Sequence, residues 1–168
     1  MNQDITVGIS VSTRMLGLAI FSNSQLIEFQ SKLLKEKWTD SKPGLFIANL
    51  ASCTRHSTIK RLVLSIPEQH YRTIEFEKLY QAIKKYAYEK KITIKEVPRP
   101  LLRKLCMPGK KKNKESEMAT MVQCYNELLP IYEKEMLNKN KYYEKAFEAV
   151  GSVMVHQNTT LKILKDKE

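Results

Sequence analysis

The chain has little with which to build a disulfide framework, a zinc site or an aspartate-rich metal centre. Its 168 residues include three cysteines, Cys53, Cys106 and Cys124, an odd number with no CxxC pair. Reduced, mostly packed thiols are the reading this favours over disulfides. No two of the three histidines, His56, His70 and His156, are spaced as ligands on one helical turn. Zinc needs convergent nitrogen and sulfur donors, so no metal site is expected from them. Aspartate is scarce: Asp4, Asp40 and Asp166 are all there are. No apolar run approaches the roughly 18 residues that span a bilayer, and MNQDITVGIS has no basic segment leading into an apolar one. The expectation is a cytoplasmic protein with no membrane partner. The sequence also has no G-x-S-x-G, no P-loop and no G-x-G-x-x-G, and Gly109-Lys110 lacks the earlier glycine a phosphate loop requires.

What the chain has is positive charge. Net charge is +11, with 42% hydrophobic and 28% charged residues. A soluble globular domain with a real core is expected, together with a polyanionic partner. The charge is uneven. Lys95, Arg99, Arg103, Lys104, Lys110, Lys111, Lys112 and Lys114 stand against Glu96 alone, a net of +7 within 20 residues. Such a cluster gains affinity for phosphate chains by releasing counterions, and a solvated, solubilising loop is the plainer alternative.

Residues 1–158 are expected to form one domain, followed by a charged tail at 159–168. Ile5–Ser10, Leu16–Phe21 and Gln25–Gln30 alternate or run apolar with short polar turns between, which predicts an antiparallel meander. A helix carrying Phe46, Ile47, Leu50 and Cys53 follows Pro43-Gly44, and Arg61–Ile66 is a fourth strand ended by Pro67. Phe76, Leu79, Tyr80, Ile83, Tyr86 and Ala87 share one face of an amphipathic helix. Ile92–Val97 is a fifth strand, and a basic loop leads from it to Asn113, a fitting N-cap. The next helix presents Met118, Met121, Val122, Tyr125, Leu128 and Leu129, with Pro130 to kink or end it; a last helix holds Ala146, Phe147, Val150, Gly151, Met154 and Val155. The order β-β-β-α-β-α-β-α-α predicts an α/β fold: a mixed sheet of five strands with helices on both faces.

Several stretches resemble the RuvC-type Holliday-junction resolvases of the RNase H-like superfamily. Gly8-Ile-Ser-Val-Ser-Thr-Arg-Met-Leu-Gly17-Leu-Ala-Ile looks like their opening hairpin, usually G-I-D-x-G and then G-x-A. Leu62-Val-Leu-Ser-Ile-Pro-Glu-Gln69 sits where the family has its fourth strand and a glutamate. Pro98 to Val122 is similar to the stretch after strand five, and Glu148-Ala-Val-Gly-Ser-Val-Met-Val-His156 to the closing helix. The resemblance implies an RNase H-like domain acting on junction DNA as a dimer, and the apolar helix near Phe76 to Ala87 is a candidate surface for a homodimer.

The departures concern the active site. The family cleaves phosphodiesters with two magnesium ions held by carboxylates, and the four acidic positions fall here on Ser10, Ser65, Lys145 and Glu148. Only the last is acidic. Glu68 and Glu144 are the nearby acids from which a relocated set could be assembled. The family's lysine at the start of the third helix falls on Glu115, with Lys114 one position away. The resemblance therefore implies a degenerate member: no catalytic residue, no metal, and no cofactor unless magnesium serves a relocated site. Nucleic-acid binding is the expected function, with Arg14, Arg99, Arg103, Lys104, Lys110, Lys111, Lys112 and Lys114 on phosphates. An active metal-dependent endonuclease and a purely structural or protein-interaction domain remain as alternatives.

Overall fold

Ile5-Thr-Val-Gly-Ile-Ser-Val11 is buried at every position, as befits the central strand of a sheet covered on both sides. The computed structural model describes residues 3–138 and 141–165, with side chains as far as residue 158. This first strand, β1 (Ile5–Val11), pairs antiparallel with β2 (Met15–Ser22), which pairs antiparallel with β3 (Gln25–Leu33). On its other edge β1 pairs in parallel with β4 (Ile59–Ile66), and β4 with β5 (Thr93–Pro98). The order across the five-stranded sheet is β3-β2-β1-β4-β5. The mixed α/β architecture expected from the residue pattern is the one observed.

The two-residue period of β1 sorts its side chains. Ile5, Val7, Ile9 and Val11 join Leu16, Leu18, Ile20, Leu62, Leu64 and Ile66 on one face. Against that face lie α1 (Lys42–Cys53), through Phe46 and Leu50, and α2 (Ile74–Glu89), through Phe76, Leu79, Tyr80, Ile83 and Ala87. The helix α2 starts where Thr73 accepts a hydrogen bond from the Phe76 amide at 3.1 Å, and Glu75 and Glu77 favour its positive end. Each large apolar side chain it buries contributes about 1.5–3 kcal/mol. The apolar face of α2 considered for a homodimer packs on the protein's own sheet.

The opposite face carries small residues: Gly8 and Ser10 on β1, Gly17 and Ala19 on β2, Ser65 on β4. On them lies α5 (Glu144–Lys165). A Cβ on Gly17 would sit 2.1 Å from the Lys145 carbonyl, and one on Gly8 would sit 2.3 Å from the Ala149 carbonyl. The two glycines therefore let the helix backbone touch the sheet. Leu102, Leu105, Met118, Met121 and Leu128 complete this second core.

Several boundaries differ from expectation. The basic stretch is not all loop: Arg99–Leu105 forms a 3-10 helix anchored by Leu102 and Leu105. The helix expected to run past Tyr125 ends at Cys124 as α3 (Lys114–Cys124), and α4 (Leu129–Leu137) restarts with Pro130 in its first turn. Proline is tolerated there because that amide has no intrahelical acceptor. The last helix continues to Lys165, so the backbone at 159–165, expected as a charged tail, is helical, while residues 166–168, including Asp166, lie outside the described residues. Among the described residues no helix is long and apolar enough to cross a membrane.

Candidate functional site

Three strand ends and one helix start meet at a single edge of the sheet. Ser10 lies next to the end of β1 and Ser65 next to the end of β4, and Arg99 is the first residue after β5. Between β1 and β4 the strand order reverses, since β2 and β3 lie to one side and β5 to the other. Open α/β sheets bind ligands outside the carboxyl ends of strands at such a switch point. The first turn of α5, held down on Gly17, carries Glu144, Lys145 and Glu148 to the same place.

These side chains form one network around Glu148, a residue 8% exposed. Ser10 donates to Glu148 Oε2 at 2.5 Å, and the Lys145 ammonium lies 2.9 Å from the same oxygen. Arg99 Nε is 3.4 Å from that oxygen and donates to Ser65 Oγ at 3.3 Å. Its other arm donates to Ser10 Oγ at 3.4 Å and to the Val11 carbonyl at 3.0 Å. Burial alone would raise the Glu148 carboxyl, but Lys145, Arg99 and the Ser10 hydrogen bond outweigh it and hold the group below the usual carboxylate range. Lys145 moves the other way from a simple ion pair. Burial lowers its ammonium, Glu148 opposes that, and Arg99 adds repulsion, so the result is depressed. Two cations share one anion, which over-stabilises the anion and under-stabilises a cation.

A second tier surrounds the network. Lys114, at the start of α3, pairs with Glu144, and Arg103 pairs with the buried Glu117. The Lys114 ammonium is lowered by burial and, although Glu148 opposes this, by repulsion from Lys145, Arg99 and Arg103. A cavity of about 390 Å³ opens beside Glu148, between α3, α4 and α5, with Glu117, Glu135 and Glu144 in its walls.

The structure thus brings Ser10, Ser65, Lys145 and Glu148 together and adds Arg99 to them. It leaves Glu68 apart, exposed in the loop after β4 beside His70 at 3.5 Å. Glu144 is near but turned to Lys114. Of the residues expected on phosphates, Arg14, Lys104, Lys110, Lys111 and Lys112 are exposed, Lys114 is exposed but paired with Glu144, and Arg99 and Arg103 are half-buried in ion pairs. Sequence reasoning set Arg99 among surface cations and missed its bond to Glu148. The available signal was position, because β4 and β5 pair in register as far as Ile66 and Pro98, so Arg99 had to emerge beside Ser65.

No family model and no curated protein matches the chain. Solved structures do. Thermus thermophilus RuvC bound to a Holliday junction substrate superposes with a TM-score of 0.65 at 10% identity, over 93% of this chain and 96% of that one. A second structure of T. thermophilus RuvC gives 0.62 at 11% identity over the same shares. The fold is RuvC-like. Identity this low speaks for the fold alone, and the chemistry has to come from the residues.

The resemblance read from the sequence implies a pair of magnesium ions held by carboxylates. Two divalent ions need several carboxylate oxygens, and this position offers one carboxylate already bonded to a hydroxyl, an ammonium and a guanidinium. Among the described residues no group of three or more histidine, cysteine, aspartate or glutamate side chains is placed to hold a metal ion. The residues do not fit the ions.

Proposed function

We propose that this chain binds nucleic acid, junction or duplex DNA in the first instance, and does not cut it. The observation that carries the reading is the pair of cations on Glu148. Arg99 and Lys145 both lie against Glu148, so the carboxylate that would serve a divalent ion is already paired with two cations, which supports binding without two-metal cleavage. The charge balance, the exposed lysines at 110–112 and the RuvC-like fold support a phosphate-rich partner.

The test is a salt titration of binding to a four-way junction and to duplex DNA, alongside a cleavage assay with Mg²⁺ and Mn²⁺. Binding should weaken steeply with salt. Replacing Lys110, Lys111, Lys112 and Lys114 with glutamine should weaken it further and flatten the slope by roughly two to four units. Cleavage that needs metal and vanishes in Glu148→Ala would replace this reading with the nuclease. Absence of binding even at low salt would leave a structural or protein-interaction domain.

A further inference from the structure

We infer that the Arg99–Lys145 cluster is itself a phosphate site, which grips a nucleic-acid phosphodiester directly and without metal. This rests on the nucleic-acid reading above and specifies where and how contact is made.

Charge comes first. Arg99 and Lys145 share Glu148, so these three side chains carry one more positive than negative charge; the neighbouring Lys114–Glu144 and Arg103–Glu117 pairs are balanced, and Glu115 and Glu135 lie in the wall of the adjoining cavity. Placement comes second. Lys145 occupies the first turn of α5, where the helix dipole disfavours a cation and favours an anion. Glu144 at this helix start is paired with Lys114, and Glu148, one turn further on, is shared with Arg99, so neither acid is Lys145's alone. Pre-organisation is third. The Arg99 guanidinium is fixed by Ser65, Ser10 and the Val11 carbonyl, so little side-chain freedom remains to be lost on binding. Arginine's planar donors suit phosphate oxygens, and the Arg99 side chain is 24% exposed.

The fourth observation is continuity. Lys114 begins α3 directly after the exposed run Lys110–Lys112 and reaches across to Glu144, next to Lys145. The basic segment is thereby tied to the cluster, so a backbone lying along the lysines would meet Arg99 and Lys145 at its end. A purely internal salt bridge would explain the Glu148 contacts but has no use for the second cation, whose burial beside Arg99 is unfavourable.

The experiment uses a fluorescein-labelled four-way junction and a labelled duplex, with the full chain and its variants at fixed ionic strength. Wild-type affinity should be the same in EDTA and in Mg²⁺ at matched ionic strength. Glu148→Gln removes the competing anion and should tighten binding roughly three- to ten-fold. Lys145→Gln leaves Glu148 paired with Arg99 and Ser10, so the fold survives; it should weaken binding by a similar factor and lower the salt slope by about one. Thermal unfolding of each variant verifies folding, and should Glu148→Gln not fold, Lys145→Gln decides alone. Wild-type binding that neither substitution changes would overturn the phosphate site and leave the lysine-run reading standing. Binding that EDTA abolishes would overturn it in favour of a metal-mediated contact. Failure of the wild type to bind at all would remove both.

Discussion

The two faces of the sheet are built on different principles. The face under α1 and α2 is a run of branched aliphatics locked against Phe46, Leu50, Phe76 and Leu79. The face under α5 has a polar centre: two buried serines, one buried glutamate and two glycines that bring helix backbone onto strand backbone. An apolar face needs only volume and pattern, and many sequences satisfy it. A face with a buried charge has to find partners for its polar atoms; Glu148 finds them at 2.5–3.4 Å, whereas Glu135 on the same side keeps one carboxylate oxygen without a hydrogen-bond partner. The contrast separates what specifies the fold from what specifies the chemistry.

The largest effect is expected on the apolar face. Leu79→Ala removes a fully buried side chain at the α2 interface and should cost about 2–5 kcal/mol in chemical denaturation. DNA affinity of the folded fraction should stay unchanged. A drop in affinity comparable to that of the lysine variants would show that the two faces are coupled rather than separable.

On the polar face the backbone contact is the sensitive point. Gly17→Ala places a methyl group 2.1 Å from the Lys145 carbonyl, so α5 must shift. The expected loss is about 1–3 kcal/mol. Because the shift moves Lys145 and Glu148, DNA affinity should fall with it. Gly44→Ala is the control: a Cβ there meets nothing within 4 Å, and α1 should tolerate it without loss.

Restoring carboxylates sharpens the same contrast. The triple variant Ser10→Asp, Ser65→Glu, Lys145→Asp should gain weak Mn²⁺ binding by calorimetry, with little turnover of a junction. The ligands would still lack the surrounding groups that orient them, and Arg99 would remain among them. Rapid cleavage by this variant would show that the surrounding site is intact after all.

The same contrast decides what could be read from residues alone. The aliphatic alternation of β1 and β4 and the helical spacing of Phe76 to Ala87 announce a sheet covered on both faces, because burial enforces periodicity. Gly8, Ser10, Gly17, Ser65 and Glu148 could be placed by resemblance, and the fold sets them around one point. The break between α3 and α4 was hidden, since the apolar spacing runs on through Tyr125 and Leu128 and only Pro130 marks the restart. Arg99 and Arg103 were hidden for a different reason. Charge read along a chain predicts affinity for anions in general and is silent on which cations the protein keeps for its own carboxylates. Glu117 and Glu135 show the same gap, being acidic residues that a helical wheel sends to solvent and the structure buries.

The smallest expected effect is in acid. Lys145, Arg99 and Ser10 hold the Glu148 carboxyl below its ordinary value of 4.5, against the opposing influence of burial. A carboxylate lowered in the folded state contributes stability in full above the unfolded value and loses it as pH falls through the folded one. Each unit of such a shift corresponds to about 1.4 kcal/mol. Wild type and Glu148→Gln should therefore run parallel in thermal unfolding from neutrality down to about pH 5. Below that the wild type should lose stability faster, because only it must protonate a group caged by two cations. Lys145 bears on the baseline rather than on this limb: its depressed ammonium stays charged throughout acid and costs the fold something at every pH on that side. Relief should come only as the pH rises through its folded value toward the ordinary 10.5. Parallel curves through the whole acid range would mean that Glu148 is no more stabilised in the fold than in the unfolded chain, and that the cations belong to something other than this carboxylate.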